Sequence, residues 1–312
     1  THLQAEAPTA TNAAVTTSRA ELSLCLLLAL LGCSTCAVAW TMQRVIEAMQ
    51  FTHRRIEFMN SGYFVADVAA WAGFRVVLVL GAVFCTTRIS PRAAGSGIPE
   101  MKCILAGVNL DEHMNNATVL AKVLGLVLMC GAGMPVGREG PLVHIAGSIA
   151  LGLLRLEVFK SIATSEVRKH EVLAAACAVG VTAAFGAPLG GVLFSIEVTT
   201  TYFLTSSYWH SFVCAVTGCV FFRFADAHGG MGTESSELGI RSQQLIGSQL
   251  FDIDYVVLPV HVLLGVVCGL LASAFITIAA HLFRFTRPWS KRYTELDEYT
   301  LTPRTRHQHR ML

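Results

Sequence analysis

The chain has 312 residues, of which 53% are hydrophobic and 14% charged, with a formal net charge of +2; an ordinary soluble domain carries about a quarter charged residues. That balance excludes a water-soluble enzyme built on one core, and so small a net charge excludes a nucleic-acid partner held by phosphate contacts. What remains is an all-α, multi-pass membrane protein whose partner is the lipid bilayer.

Residues 1–20, rich in Thr and Ala, are expected to be a disordered cytosolic tail. The apolar run 22–43 follows. It is too long for the hydrophobic core of a secretory signal, and one base and one acid, Arg19 and Glu21, precede it, so it is assigned as the first membrane helix. Cys33 and Cys36 form a C-x-x-C inside this run. In a continuous apolar helix they are expected to be small packing residues rather than a metal or redox pair. His53-Arg54-Arg55 comes next and is assigned to the headgroup level. The run 76–87 is apolar but short for a full crossing.

Gly95-Ser96-Gly97-Ile98-Pro99-Glu100 then interrupts the hydrophobic pattern. Two short apolar runs, 123–137 and 141–154, are joined by Gly133-Met134-Pro135-Val136-Gly137-Arg138-Glu139-Gly140-Pro141 without a solvated loop. Runs 172–196, 198–222 and 255–283 are each long enough to cross a bilayer, and Gly186-Ala187-Pro188-Leu189-Gly190-Gly191 breaks the first of them. For that third break, close helix packing is the expected role. Segment 223–254 carries a net charge of −3 and segment 284–312 a net +4. Basic residues near span ends favour the cytoplasm, which places the C-terminal segment inside and 223–254 outside. Domain limits follow at 1–20 (tail), 21–287 (membrane domain) and 288–312 (basic cytosolic tail).

In lipid, irregular backbone at depth survives only where protein buries it or where it lines a water-filled path. Transport proteins build ion sites from such broken helices. Pro99 and Pro141 are each expected at the first position of a helix, where the missing N–H costs nothing. The glycines before them leave backbone amides exposed. A helix start offers unpaired N–H groups and about half a positive charge, so two starts aimed at one point would seat an anion without a fixed cation. Ser96 adds a hydroxyl donor. Glu139, beside the second start, would cost at least about 3 kcal/mol if charged near the bilayer centre. It would compete with the anion for the same potential and act as a gate.

These segments resemble the CLC family of chloride channels and chloride/proton exchangers. Gly95 to Glu100 is similar to its first pore motif and Gly137-Arg138-Glu139-Gly140-Pro141 to its second, while Ala184 to Glu197 resembles the helix that follows them. The resemblance runs from about residue 22 to 287. It implies the first half of an inverted-repeat membrane domain with tilted, broken helices, working as a homodimer with one pore per subunit. It also implies a chloride seat formed by Ser96, Gly97, Ile98, Pro99, Gly137, Arg138, Gly140 and Pro141, with Glu139 as gate. Family exchangers carry a second, proton-relaying glutamate at the place occupied here by Val198. The valine, and the run from Ser195 to Phe203, are similar to the plasma-membrane channel branch. The expectation is a gated chloride channel, not an enzyme, with chloride as permeant ion and neither cofactor nor metal. The alternatives are an exchanger using another relay, or a half-length polypeptide that conducts only with its missing half or a partner. No second pore-forming half follows residue 287, so an incomplete membrane domain is expected. The histidines, among them His144, His210, His261 and His281, are scattered, and His144 is expected to pack in the helix or a vestibule. Asn116-Ala117-Thr118 fits a glycosylation sequon, but the family topology puts it on the cytosolic side.

Overall fold

The computed structural model of the chain describes residues 10–58, 64–108, 110–199, 205–228 and 258–300. All regular elements among them are helical. The first, α1 (Ala10–Phe58), overruns its apolar run at both ends. Neither glycine nor proline occurs from residue 10 to residue 31, so nothing in the sequence stops the helix from reaching back into the stretch expected to be a tail.

Helix α2 (Phe64–Phe84) continues through a π turn at Cys85–Ile89, and together they supply a 23-residue candidate span, Asp67–Ile89. The short run 76–87 is therefore part of a helix long and apolar enough to cross a membrane. What hid the rest is Arg75. Its guanidinium lies 4.0 Å from the Trp71 ring centroid and its Nε donates to His53 Nε2 at 2.8 Å. The cation is met by protein, not by lipid.

Shorter elements follow: α3 (Ile98–Leu105), α4 (Asn116–Gly131) and α5 (Glu139–Leu154). The chain then bends by 87° into Glu157–Ala163, which ends in the single turn α6 (Lys160–Ala163). Next come α7 (Glu166–Phe185), α8 (Pro188–Phe194) and α9 (Thr205–His228). Run 172–196 is thus not one crossing. Gly186, at φ 67°, ends α7 in the left-handed conformation, and Pro188 opens α8 one residue after the extended Ala187. Of the run 198–222, the structure describes the part from Thr205 onward as helix, and the acidic segment beyond His228 lies outside the described residues.

Helix α7 is the centre of this unit, with α1, α5, α8 and α9 packed around it. Glu171 through Thr182 are buried without interruption. A helix that is apolar on every side because protein encloses it gives the same sequence signal as one facing lipid. Small residues set the distances between these helices. A Cβ on Gly180 of α7 would stand 2.6 Å from Val143 Cα and 2.9 Å from Val143 N of α5. One on Gly218 of α9 would meet Cys36 Sγ at 2.8 Å and Gly32 O at 3.1 Å, so Cys36 is a packing residue of the α1–α9 seam. Gly191 packs on Thr182 and Ala178, as expected for the third break. Where α1, α7 and α9 meet, Arg168 pairs with Glu21 and, at 3.2 Å, with Glu171, while His210 Nδ1 stands 3.7 Å from Glu171.

A second unit, residues 242–312, contains α10 (Leu258–Thr300). Its stretch Pro259–Leu282 is long and apolar enough to cross a membrane. The helix continues past residue 288, into the segment expected to be a tail. With Glu21–His53 and Asp67–Ile89 it makes three candidate spans among the described residues, and the bent pair Glu139–Leu154 with Glu157–Ala163 is a candidate fourth.

Gly180→Ala should force α5 and α7 apart and cost about 1–3 kcal/mol. Gly152→Ala, whose new methyl would meet nothing within 4 Å, should be neutral or add up to about 1 kcal/mol. Unfolding in detergent micelles compares the two.

Candidate functional site

The two interrupted motifs, far apart in sequence, touch. A Cβ placed on Gly140 would stand 2.7 Å from Ser96 Cβ, 3.1 Å from Ser96 O and 3.4 Å from Ile98 Cδ1. The contact exists because residue 140 has no side chain. Gly97 contributes in a second manner. As the residue capping α3 it adopts φ 88°, which costs a side-chain-bearing residue about 1–2 kcal/mol. A Cβ there would also come within 2.5 Å of His144 Cβ and 2.9 Å of Lys122 Nζ. Both the turn and the space require glycine.

Each expected ligand has a definite place. Ser96 is exposed, and its Oγ accepts the Ile98 N–H at 3.4 Å, so the hydroxyl caps the helix it precedes. Ile98 is the first residue of α3 and Pro99 the second. Glu139 is half-buried and opens α5, with Oε2 folded back against Gly137. Arg138 precedes it, and its guanidinium donates to Gln43 of α1 rather than turning toward the motif contact. Pro141 is the third residue of α5, not the first. Proline is accepted there because the opening N–H groups of a helix have no partner within it. Val198 lies in the π turn Ser195–Thr199, half-buried.

A cavity of about 200 Å³ opens beside this contact, lined by Gly95, Lys122, Val136 and Pro141 together with apolar residues of α2 and α4 such as Ala82, Val83 and Leu126. Ser96 and Glu139 do not line it.

The electrostatics differ from the expected cation-free seat in one respect. Lys122 of α4 is 4% exposed, and its Nζ donates to Gly95 O at 3.4 Å. A buried ammonium therefore lies directly under the first motif. No motif marks it, since a single lysine early in an apolar run looks like a residue flanking a span. Glu100, in the first turn of α3, keeps a buried Oε2 with no hydrogen-bond partner among the described residues. His144 is buried at 1% exposure with its ring under Gly97, in keeping with a packing role. Its carbonyl accepts from Ser148 Oγ at 3.0 Å.

A family model described as "Voltage gated chloride channel" matches residues 76–297. The chain is 38% identical over 263 residues to chloride channel protein clh-3 of Caenorhabditis elegans, covering 83% of this chain and 26% of that protein. It is 41% identical over 265 residues to chloride channel protein 2 of Drosophila melanogaster (83% and 22%), and 44% identical over 197 residues to human chloride channel protein 2 (63% and 22%). The chain thus spans about a quarter of the length of these relatives. Among solved structures, that of a eukaryotic CLC transporter superposes with a TM-score of 0.62 at 35% identity, over 65% of this chain and 38% of that one. A cyanobacterial Cl⁻/H⁺ antiporter shares the fold, with a TM-score of 0.53 at 22% identity over 65% of this chain and 46% of that one.

Gly97→Ala should destabilise by at least about 2 kcal/mol, combining the left-handed backbone with the clash on His144. Lys122→Met keeps the volume but leaves Gly95 O without its donor and takes a cation from near Glu100, so it should cost about 1–3 kcal/mol. Thermal unfolding of the purified variants reads both.

Proposed function

The chain belongs to the voltage gated chloride channel family, and from that premise we propose that it supplies the first half of a gated, chloride-conducting membrane domain. The observation that carries the reading is the contact of Gly140 with Ser96, which brings the starts of α3 and α5 together. Backbone amides at those starts, from Gly97 and Gly140, with the Ser96 hydroxyl, offer the anion several weak donors, while the Ile98 N–H holds Ser96 Oγ in place. Weak, multiple donors suit an ion that must leave as readily as it arrives. The buried Lys122 lies beneath the first motif, where its Nζ donates to Gly95 O.

Glu139 is the gate. Its carboxylate sits at the positive end of α5, the place an incoming anion would also favour. Folded against Gly137 it occupies the approach; neutralised or swung out, it leaves the approach to chloride. Arg138 fixes the register of this start by holding Gln43 of α1 and acts through its backbone rather than as a direct anion ligand. Val198 cannot carry a proton, which favours a channel over a coupled exchanger. The permeant ion is chloride, no cofactor takes part, and the working unit is a homodimer in the plasma membrane.

The test is electrical. In a complete membrane domain carrying this sequence, Glu139→Gln should hold the path open and flatten the dependence of current on voltage, and Ser96→Ala should weaken chloride block of other anions by about 1 kcal/mol. Gating unchanged in Glu139→Gln overturns the gate. A channel's reversal potential ignores the proton gradient at fixed chloride, so a reversal potential that moves with pH would assign the protein to the exchangers instead.

A further inference from the structure

Between Trp40 and Ala48, helix α1 has two faces of opposite character. Thr41, Val45 and Ala48 are exposed. Trp40, Gln43, Arg44 and Glu47 recur at helical spacing on the other side. Their charges are turned into the protein, with the side chains of Arg44 and Glu47 only 24% and 18% exposed. Residues that merely anchored a helix end among lipid headgroups would present their charges outward.

The contacts of this strip run in series. Trp40 Nε1 donates to Asp226 Oδ1 of α9 at 3.0 Å, which fixes one end. The Arg44 guanidinium lies 5.3 Å from the Trp40 ring centroid, and its Nη1 stands 3.5 Å from Glu47 Oε2. Glu47 Oε1 accepts from Gln43 Nε2 at 2.8 Å. Gln43 Oε1 in turn accepts from the Arg138 guanidinium, at the start of α5.

We infer that Gln43 is a positioning residue of the α5 start: it draws the Arg138 guanidinium onto the α1 strip and away from the carboxylate of Glu139, the next residue in the chain. An amide oxygen only accepts and an amide nitrogen only donates, so Gln43 bridges a guanidinium on one side and a carboxylate on the other. The bond to Glu47 holds the amide with its oxygen toward Arg138. Without that oxygen, the carboxylate nearest along the chain is Glu139, and a charge-assisted pair with it would be stronger than a bond to any neutral acceptor. Such a pair would tether the carboxylate that has to move, and would set a guanidinium beside donors that are otherwise neutral. In the structure these two opposite charges, adjacent in sequence, have different partners: Arg138 goes to Gln43, and Glu139 folds against Gly137.

The consequence for gating rests on the reading of Glu139 given above, but the tie itself is read without current. Its reporter is the Leu142 amide, which donates to Arg138 O at 3.0 Å. Hydrogen exchange at this amide is measured on the purified chain in nanodiscs. Gln43→Met, close in size but without the oxygen, should lose at least about threefold in protection, and so should Arg138→Met. The double variant should lose no more than either single one. Gln43→Glu, which still accepts from Arg138, should stay protected. Unchanged protection in Gln43→Met, losses that add in the double variant, or a Gln43→Glu as unprotected as Gln43→Met overturns the tie. In a complete membrane domain carrying this sequence, Gln43→Met should change the ratio of open to closed channels at a fixed voltage by about tenfold, and the change should vanish in the double variant with Arg138→Met. A change that persists there, or that is absent while Glu139→Gln alters gating, overturns the separation of Arg138 from Glu139. Currents from Glu139→Gln judge the gate by themselves, so a failed gate and a failed tie are distinguishable.

Discussion

Everything in this site depends on how the backbone amides of two helix starts are satisfied. A helix start inside a membrane exposes N–H groups that lipid cannot accept from, and two such starts in contact concentrate that deficit at one place. Gly140 and Ser96 meet because neither brings bulk to the junction, and Gly97 turns α3 toward it. The deficit is a liability for a structural protein and an attractive potential for an anion. The carboxylate at the head of α5 and the ammonium beneath Gly95 then adjust its depth in opposite senses.

Around that point the molecule separates two kinds of apolar helix. α7 is enclosed by its neighbours, and its contacts are set by glycines and alanines that allow near-backbone approach. α2 turns most of its apolar side chains outward, with Val76, Val77, Leu80 and Phe84 exposed. Its arginine, Arg75, is retained inside the protein by an aromatic face and an imidazole.

Much of this was legible in the sequence. The broken helices at Gly95–Pro99 and Gly137–Pro141, the closure at Gly186–Gly191 and the packing of Cys36 follow from glycine, proline and the absence of nearby charge, and the structure places them accordingly. Three features were hidden, each for a physical reason. Run 172–196 counted as a crossing because hydrophobicity does not record whether protein or lipid surrounds a helix. The span through α2 was shortened by Arg75, since a stacked and hydrogen-bonded arginine carries the same letter as a solvated one. Lys122 could not be placed under Gly95 from sequence, because the separation between them is bridged only by tertiary packing. Arg138 shows the converse: the motif pointed to it, yet its side chain serves α1 through Gln43.

The enclosure of α7 has a consequence for biogenesis. Its first turns carry Glu166, Arg168, Lys169 and Glu171; Glu171 is buried against Arg168 of the same helix and His210 of α9, while Glu21 of α1 pairs with Arg168. One of those partners, α9, emerges from the ribosome after α7 does. A newly made α7 can pair Glu171 with its own Arg168, but lipid offers that ion pair no polar surroundings, and the α9 side of its enclosure is made later. Topogenesis of this protein is therefore cooperative over at least the α1–α9 stretch, rather than a sum of helices inserted one by one.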